Sequence, residues 1–405
     1  MKKIMEIALG IVTSVGGFLE IGSIATAAQA GADFSLQLIW AIVLGGICII
    51  FLVEQAGRFS AVSGRTLPDA IRERFGFNYF AFLYLTLALV SLLVLAAEIG
   101  GVCIALELAT GFHFQWWAIP VALVVWLVIW KGTFGIIEQG VSILGLITLC
   151  FVVGAVMVHP PWTQVARSAL ISLPHHDSVH YWFVTVSVLG ATISPYLYFF
   201  YSSGAIEDEW NEGYIGINRI IATGGMSFGS VISISVLILA AMIFAPQGVK
   251  FEHYSQLPNL LVPVFGYWGY WLIVASVGIS CLGAAMEITL EIAYLTAQGF
   301  GWNWSENQRP LDEARFSAAY IVAIILGMLP ILAGLDPLSV TILSMALTAA
   351  TLPVSIVPFL FLMNDYSYVR IYRNGWFSNA VVIVIIGIAF VLAVVSIPLQ
   401  IFGGG

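Results

Sequence analysis

Residues 16–26 read Gly-Gly-Phe-Leu-Glu-Ile-Gly-Ser-Ile-Ala-Thr and place one carboxylate, that of Glu20, inside the first long apolar segment of the chain. An ionised carboxylate in hydrocarbon costs about 3 kcal/mol or more, so it must be protonated, hydrated or paired with a cation. Gly16, Gly17 and Gly22 flank it, and glycine readily leaves helical geometry. The stretch therefore predicts a locally unwound membrane helix whose carbonyl groups could share a cation with Glu20.

The composition is that of a membrane protein. Hydrophobic residues make up 60% and charged residues 9% of the 405 residues, and the mean hydropathy is +1.00. Apolar runs that can cross a bilayer need roughly 17–25 residues. We predict eleven such spans, at about 7–29, 36–57, 82–107, 115–131, 134–157, 181–203, 219–245, 268–297, 316–334, 339–362 and 379–401. We expect a single polytopic membrane domain over residues 1–405, because no water-soluble domain fits between the spans.

The first span also has features of a secretory signal peptide, because Lys2 and Lys3 precede it and small residues follow at 25–28. Two observations favour a membrane helix. Glu20 interrupts the apolar region, and the helical pattern continues beyond the cleavage point that the small residues would provide.

Basic residues predict the orientation of the spans. With the N-terminus in the cytoplasm, twelve of the fourteen basic residues fall inside, and only Arg167 and Lys250 fall outside. A missed or added span would move every later loop to the other side of the membrane, so this bias also supports the count of eleven spans. We expect a multi-pass protein of the cell, or inner, membrane, with the C-terminus outside. The net charge of -8 says little about partners, and we expect the lipid bilayer and no nucleic acid.

Cysteines and histidines give weaker signals. The four cysteines lie singly in different spans, which is typical of buried apolar residues. All six histidines fall in or beside loops assigned to the outside. His175, His176 and His180 could hold a metal ion weakly together with Asp177, but we favour a polar external loop.

Carboxylates within the spans carry more information. No Lys or Arg lies near the middle of any span to neutralise the six glutamates found there, which are Glu20, Glu54, Glu98, Glu138, Glu287 and Glu291. Protons or a transported cation must then compensate the negative charge. For Glu54 and Glu138, near cytoplasmic span ends, pairing with Arg58 and Lys131 is the simpler interpretation.

Three of these glutamates are candidates for proton coupling. Glu287 and Glu291 are spaced i, i+4 on one face of the eighth span, where two carboxylates do not both ionise easily. A shared proton or bound cation would relieve the repulsion, and hydrogen bonds within the bundle are the alternative. Glu98 lies among small residues that allow close helix packing, and we expect it to relay protons.

The sixth span contains a second expected break. Residues 190–203 read Gly-Ala-Thr-Ile-Ser-Pro-Tyr-Leu-Tyr-Phe-Phe-Tyr-Ser-Ser, and Pro195 removes a backbone hydrogen bond in mid-helix. The first and sixth spans open two successive groups of five. Interrupted helices at corresponding positions of two halves indicate the central site of a transporter, so we expect breaks at Gly22 and at Pro195 and Tyr196.

These residues resemble a known family. The run Glu20-Ile21-Gly22-Ser23-Ile24-Ala25-Thr26 to Ala32 aligns without gaps with the first-helix signature of the NRAMP divalent-metal transporters, Asp-Pro-Gly-Asn followed by Ala-Thr and Gln-Ala-Gly. Residues 190–196 resemble that family's sixth-helix Gly-Ala-Thr-Val-Met-Pro-His, and shorter matches lie at 98–100 and 343–353. The resemblance implies an all-α, LeuT-like fold with two inverted five-helix repeats at about 7–157 and 181–362, an eleventh helix at about 379–401, and discontinuous helices 1 and 6.

The chain departs from the family pattern where the family binds metal. In the first helix, Glu20 replaces the family's metal-binding Asp, Ile21 replaces Pro and Ser23 replaces the ligand Asn. In the sixth helix, Ser194 replaces Met and Tyr196 replaces His. Leu95 occupies the position of a proton-accepting Asp in the third helix, and Met345 that of a ligand Gln in the tenth. The resemblance implies that carbonyl groups at Gly17 and Ala191 complete the ligand set. Oxygen donors suit Mg²⁺, Ca²⁺ or Mn²⁺ more than Fe²⁺, Cu or Zn, whereas Met345 could add a sulfur.

We expect a monomeric secondary transporter, not an enzyme, that imports a divalent cation such as Mg²⁺ or Mn²⁺ by alternating access, with protons as coupling ions and without a cofactor. Two alternatives stay open. Related folds carry amino acids and other small organic solutes, and Tyr196, Tyr198 and Tyr201 could bind such a solute while Glu20 pairs with an ammonium group. A membrane sensor or scaffold without transport is the other alternative.

Overall fold

The membrane environment decides the secondary structure of this chain. In hydrocarbon no water reaches the backbone, so each N–H and C=O group must be paired within a helix or a closed barrel. The computed structural model describes residues 20–131, 143, 145–174 and 176–403, and these residues contain helices and no strand. Gly16, Gly17, Glu138 and His175, which the sequence singled out, lie outside the described residues.

The described helices follow the predicted spans in order. They are α1 (Ile21–Phe34), α2 (Ile39–Ser63), α3 (Leu67–Phe75), α4 (Phe77–Thr110), α5 (Ala118–Trp130), α6 (Leu149–Met157), α7 (Trp162–Arg167), α8 (Ser178–Thr192), α9 (Pro195–Glu207), α10 (Ile215–Ile243), α11 (Val262–Phe265), α12 (Tyr267–Phe300), α13 (Ala314–Leu332), α14 (Pro337–Leu362), α15 (Tyr366–Val369) and α16 (Trp376–Gly403). Each predicted span overlaps one of these helices, and the sixth overlaps two, α8 and α9.

Length and apolarity identify eight stretches of the described residues that can cross a membrane. The first joins α1 and α2 through the short 3-10 turn Ser35–Leu38, and the predicted first and second spans are therefore continuous there. The helices α5 and α6 are shorter apolar helices, and the region between them is only partly described.

The long helices pack as two groups. In one, which we call the α1 group, α1 and α2 pack against α8 and α10, and α9 packs mainly against α2. In the other, the α4 group, α4 packs along α12, α13 packs against both, and α5 packs against α13. Helix α14 contacts α4 as well as α1 and α8. The two groups therefore meet where α1, α4 and α14 come together.

Small residues permit this close packing. A Cβ atom on Gly31 of α1 would lie 2.3 Å from the Leu237 carbonyl oxygen of α10, and one on Gly101 of α4 would lie 2.5 Å from the Cys281 sulfur of α12. Helices in a membrane associate mainly through such contacts, because burying apolar surface gains little there. The four cysteines are free and buried, as predicted.

One end of the molecule, which we call the arginine-rich end, is held together by guanidinium groups. Arg58 Nη1 donates to the Tyr372 carbonyl oxygen at 2.7 Å, and Arg74 pairs with Asp365 at 3.1 Å. The predicted Glu54–Arg58 pair is confirmed, with 3.0 Å between Arg58 Nε and Glu54 Oε1. These contacts join loops that the sequence assigned to the same side.

Histidines lie at the opposite end. His180 Nε2 lies 2.9 Å from Asp33 Oδ2, and the rings of His176 and His180 lie against Phe34. Within the described part of the chain, no group of three or more His, Cys, Asp or Glu side chains is arranged to hold a metal ion. His175 lies outside the described residues, so the weak histidine metal site and the polar external loop both stay predictions.

Candidate metal-binding site

Glu20 belongs to the stretch where the sequence predicted the first break, and it lies where α1 begins; the residues before it are outside the described part of the chain. Glu20 is the N-cap residue, with extended backbone angles of φ -93° and ψ 162°. Its carbonyl oxygen accepts hydrogen bonds from the Ser23 N–H at 3.1 Å and the Ser23 hydroxyl at 2.8 Å. The carboxylate therefore projects from a residue whose backbone is fixed by the helix that follows. Gly22 is helical, which corrects our expectation that it is unwound.

The second break separates α8 from α9. Helix α8 ends at Thr192 and α9 begins at Pro195, as the proline predicted, with Ile193 and Ser194 between them. In a continuous helix the Ala191 carbonyl oxygen would accept a hydrogen bond from the N–H of residue 195. That residue is Pro195, which has no N–H. That oxygen is therefore left without its usual helical partner. Tyr196 is the second residue of α9 and is helical.

Helix α14 lies against both the start of α1 and the end of α8. A Cβ atom on Gly22 would lie 2.6 Å from the Met345 sulfur, and one on Gly190 would lie 2.2 Å from the Met345 carbonyl oxygen. Met345 therefore lies between the start of α1 and the end of α8. The remaining candidate ligands, Ser23, Ala191 and Ser194, are all buried. The missing Cβ of Gly22 makes room for the thioether beside the start of α1.

Three carboxylates converge on this region from two helix groups. The Ile21 N–H donates to Glu98 Oε1 at 2.9 Å, so that α4 holds the first turn of α1. The Tyr196 side chain interacts with Glu20 and also experiences the charges of Glu98 and Glu287. The positive end of the α1 dipole favours negative charge at this point. The side chains of Glu20, Glu98, Tyr196 and Glu287 therefore form one electrostatic cluster.

The negative charge of this cluster is not balanced by basic side chains. Both carboxylate oxygens of Glu20 and Oε2 of Glu98 lack a hydrogen bond of regular geometry. Among the described residues, Arg58 is the one buried basic side chain, and it pairs with Glu54 at the arginine-rich end. A buried charge without compensation costs several kcal/mol. The arrangement is therefore suited to a cation or to protons.

The two glutamates of the eighth span have different neighbours. Glu287 interacts with Tyr196 and with Glu306 of the loop after α12. Glu291 interacts with Ser91 of α4 and with Tyr198 of α9. Their i, i+4 spacing on α12 is as the sequence indicated, but each carboxylate reaches a separate polar environment.

Sequence reasoning missed two residues near the cluster. Cys281, which we treated only as a buried apolar residue, lies beside Glu98. Glu306 accepts a hydrogen bond from the Tyr294 hydroxyl at 2.7 Å, and partial burial raises the pKa of its carboxyl group to about 7. The glycines next to Glu98 indicated close packing but not the partner. No periodicity connects a loop residue such as Glu306 to a helix face.

Tyrosines of the second break serve mainly to join helices. The Tyr198 hydroxyl donates to Ser355 Oγ at 2.6 Å, and the Tyr201 hydroxyl donates to Asn218 Oδ1 at 3.0 Å. Leu95, at the position where the resembling family has an acidic residue, is buried, and a Cβ on Gly327 of α13 would lie 2.7 Å from its side chain. These contacts assign Tyr198, Tyr201 and Leu95 to packing between helices.

Comparison with known proteins decides the family. The family model for natural resistance-associated macrophage protein-like (Nramp) proteins matches residues 10–398. The chain belongs to the Nramp family. An Nramp relative, the divalent metal cation transporter MntH of Caldanaerobacter subterraneus subsp. tengcongensis, is 22% identical over 365 residues, which cover 87% of this chain and 83% of the relative. The protein is therefore a membrane transporter and not an enzyme, and the metal carried by this family is substrate rather than cofactor.

Solved structures agree with the predicted fold. A variant of the manganese transporter from Eremococcus coleocola matches with a TM-score of 0.78 at 19% identity, covering 98% of this chain and 87% of that one. MHP1, a nucleobase-cation-symport-1 family transporter, matches with a TM-score of 0.64 at 16% identity, covering 98% and 92%. The Nramp chain thus has the LeuT-like fold that the sequence predicted, and its sixth span is discontinuous between α8 and α9.

Proposed function

We propose that this protein imports a divalent cation and that the Glu20 carboxylate is its central ligand. The observation that carries the proposal is a buried carboxylate at the start of α1, beside a second helix break, with no buried basic side chain near it in the described residues. The printed names of two similar proteins, a divalent metal cation transporter and a manganese transporter, support a metal substrate.

The proposed ligands come from the start of α1, from the end of α8 and from the segment that follows α8. Glu20 and Ser23 contribute from α1, the Ala191 carbonyl from α8, and Ser194 from the segment between α8 and α9. The Ser23 hydroxyl donates its proton to the Glu20 carbonyl, so its oxygen lone pairs are free to face a cation. We also retain the Gly17 carbonyl as a proposed ligand.

Manganese is the first choice among the hard cations and magnesium the second. Carboxylate, hydroxyl and carbonyl oxygens suit both ions, whereas thioethers favour softer metals. Mg²⁺ requires near-ideal octahedral oxygen geometry and keeps several waters, which a sulfur atom beside Gly22 does not assist. The Met345 contact with Gly22 therefore moves our preference from Mg²⁺ toward Mn²⁺.

Movement of the α1 group relative to the α4 group would give alternating access. The α1 group carries both breaks, and the α4 group carries the glutamates proposed for proton coupling, Glu98, Glu287 and Glu291. We propose that residues of about 7–157 and 181–362 form the two inverted repeats, with the eleventh helix at 379–401 outside them. The arginine-rich end faces the cytoplasm in this proposal, and one chain contains the whole site.

Transport of a small organic solute remains the competing hypothesis, and the contacts of the tyrosines weigh against it. Tyr198 and Tyr201 donate their hydroxyl protons to Ser355 and Asn218. Two of the three tyrosines expected to bind a solute are thus used between helices.

Transport in liposomes tests the proposal. Mn²⁺ entry is followed by quenching of an entrapped dye, and Mg²⁺ entry by a magnesium-sensitive dye. We expect Mn²⁺ transport by the wild type and at least about a tenfold loss in Glu20→Gln, equivalent to ~1.4 kcal/mol. Glu252→Gln, at an exposed loop position, is the matched control and should transport normally.

Two results would contradict the proposal. One is a wild-type protein that moves neither cation while amines or amino acids raise its melting temperature and metal salts do not. The other is a Glu20→Gln variant that binds and transports Mn²⁺ as well as the wild type.

A further inference from the structure

Glu291 has an environment that the proposed metal site does not use. Its side chain is 1% exposed, and neither carboxylate oxygen has a hydrogen bond of regular geometry. Ser91 of α4 and Tyr198 of α9 are its polar neighbours. Tyr198 in turn donates to Ser355 of α14. The polar neighbours of this one carboxyl group are therefore hydroxyl groups from α4 and α9, and the second of these is tied to α14.

No cation from the described part of the protein neutralises this carboxyl group. The titratable and charged groups that neighbouring elements carry beside α12 include Glu20 at the start of α1, Glu98 and Tyr84 of α4, Tyr196, Tyr198 and Glu207 of α9, Arg315 and Tyr320 of α13 and Arg72 of α3. Arg315 lies over the Trp302 ring, 5.8 Å from its centroid. Arg72 donates to the Gly299 carbonyl at 3.0 Å, two turns further along α12. Because an unpaired buried charge costs several kcal/mol, the closed packing around Glu291 favours its neutral form.

Glu291 also lies in the seam between the two helix groups. Its own helix, α12, packs mainly along α4, whereas α9 packs mainly along α2. Toward the arginine-rich end the α9–α12 seam is closed by the Phe200 and Tyr294 rings, 6.1 Å apart between centroids, and by Gln298 Nε2, which donates to Ser203 Oγ at 2.9 Å. Beyond them, the Ser305 hydroxyl donates to Glu207. These contacts lie between Glu291 and the arginine-rich end.

We infer that Glu291 is a proton site of this transporter, distinct from the metal site, and that its occupancy is coupled to the α9–α12 seam. With the seam closed, the side chain is a carboxylic acid. When the seam opens, the O–H bond breaks, water takes the proton, and the carboxylate that remains is hydrated. The inference rests on the proposed transport function, because the proton would cross with the metal.

Parallel dyes for Mn²⁺ and for pH in the same liposomes test the inference. We expect wild-type protein to move protons when Mn²⁺ enters. Glu291→Gln should keep Mn²⁺ transport but lose proton movement about tenfold, a typical size for coupling between two sites. Glu291→Asp, which keeps an ionisable group, should restore proton movement, and Glu252→Gln is the control. Mn²⁺ transport with proton movement unchanged in Glu291→Gln, or absent in the wild type, would overturn the inference and leave the proposed function standing.

A second measurement does not require transport. Ser203→Cys places a thiol in the seam, whereas the native cysteines are buried. We expect a water-soluble thiol reagent to label it about tenfold faster at high pH than at low pH, after correction for the reactivity of an exposed cysteine. Adding Glu291→Gln should remove this dependence. Corrected labelling that does not change with pH in the wild-type background would overturn the inference, whatever the transport assay shows.

Discussion

Two carboxylates at the start of α1 have different structural roles. Glu98 Oε1 accepts the Ile21 N–H at 2.9 Å, and this N–H has no partner within its own helix because it belongs to the first turn. Neither carboxylate oxygen of Glu20, one residue earlier, has a hydrogen bond of regular geometry, and the Glu20 side chain interacts with Tyr196. Glu98 therefore positions the helix from which Glu20 projects. The sequence indicated a proton relay at Glu98 and did not reveal this capping contact.

Substitutions of Glu98 should show whether the site needs its hydrogen-bond acceptor for the Ile21 N–H or its negative charge. Glu98→Gln keeps a carbonyl oxygen for the Ile21 N–H, so we expect Mn²⁺ affinity to stay within a few-fold of the wild type. Glu98→Ala leaves that N–H unpaired, at a cost of about 1–3 kcal/mol, and should weaken Mn²⁺ binding about tenfold. Calorimetric titration measures both. Equal losses in the two variants would show that the charge, and not the acceptor, is what the site needs.

Glu306 should make stability depend on pH. The pKa of its carboxyl group is raised from 4.5 to about 7, chiefly because of burial. The folded state therefore binds more protons than the unfolded state between these values, and its stability falls as pH rises from about 4.5 to about 7.

Glu306→Gln should remove this contribution of Glu306. We expect its melting temperature to exceed that of the wild type by about 2 °C at pH 8 and to match it near pH 4. An equal shift at both pH values would contradict this assignment.

At the scale of helices, α14 determines how closely the start of α1 and the end of α8 approach each other. Gly190 of α8 packs directly against the backbone of α14 at Met345, whereas Gly22 of α1 meets only the flexible end of the Met345 side chain. A side chain can move aside at low cost, but a backbone carbonyl requires whole helices to separate. The contact between α8 and α14 is therefore the less tolerant of the two.

Gly190→Ala should be damaging for this reason. Its Cβ would lie 2.2 Å from the Met345 carbonyl oxygen, and overpacking of this kind costs about 1–3 kcal/mol. We expect a lower melting temperature and weaker Mn²⁺ binding. Gly204→Ala on α9 is the control, because a Cβ there meets nothing within 4 Å, and it should be neutral or slightly stabilising. Similar effects of both substitutions would argue against the close contact.

At the scale of the whole molecule, the described spans and the break in the sixth span were predictable because they depend on local sequence. Hydropathy identifies a span, and Pro195 predicted a break because it lies in the span that corresponds to the first one. A proline alone does not decide a break, because Pro353 and Pro358 lie inside α14. Contacts between distant helices were not predictable, since Met345 reaches Gly22 across more than half the chain and no period relates them. Gly22 was misread as unwound for the same reason: its function is to leave space for a residue that the sequence places far away.

The orientation of the molecule gives a prediction at this scale. Lys250 and Arg309 are both exposed, and we propose that they lie on opposite sides of the membrane. A membrane-impermeant thiol reagent should label Lys250→Cys in intact cells and Arg309→Cys only after permeabilisation. The buried native cysteines give little background. The reverse labelling pattern would contradict the proposed orientation.

The position of the bound cation tests the central claim most directly. Anomalous scattering from crystals grown with Mn²⁺ would locate the metal without reference to transport. We predict one strong peak in contact with the Glu20 carboxylate, between the start of α1 and the end of α8, and no such peak in Glu20→Gln. A Mn²⁺ peak elsewhere, or one that persists unchanged in Glu20→Gln, would show that Glu20 is not the central ligand.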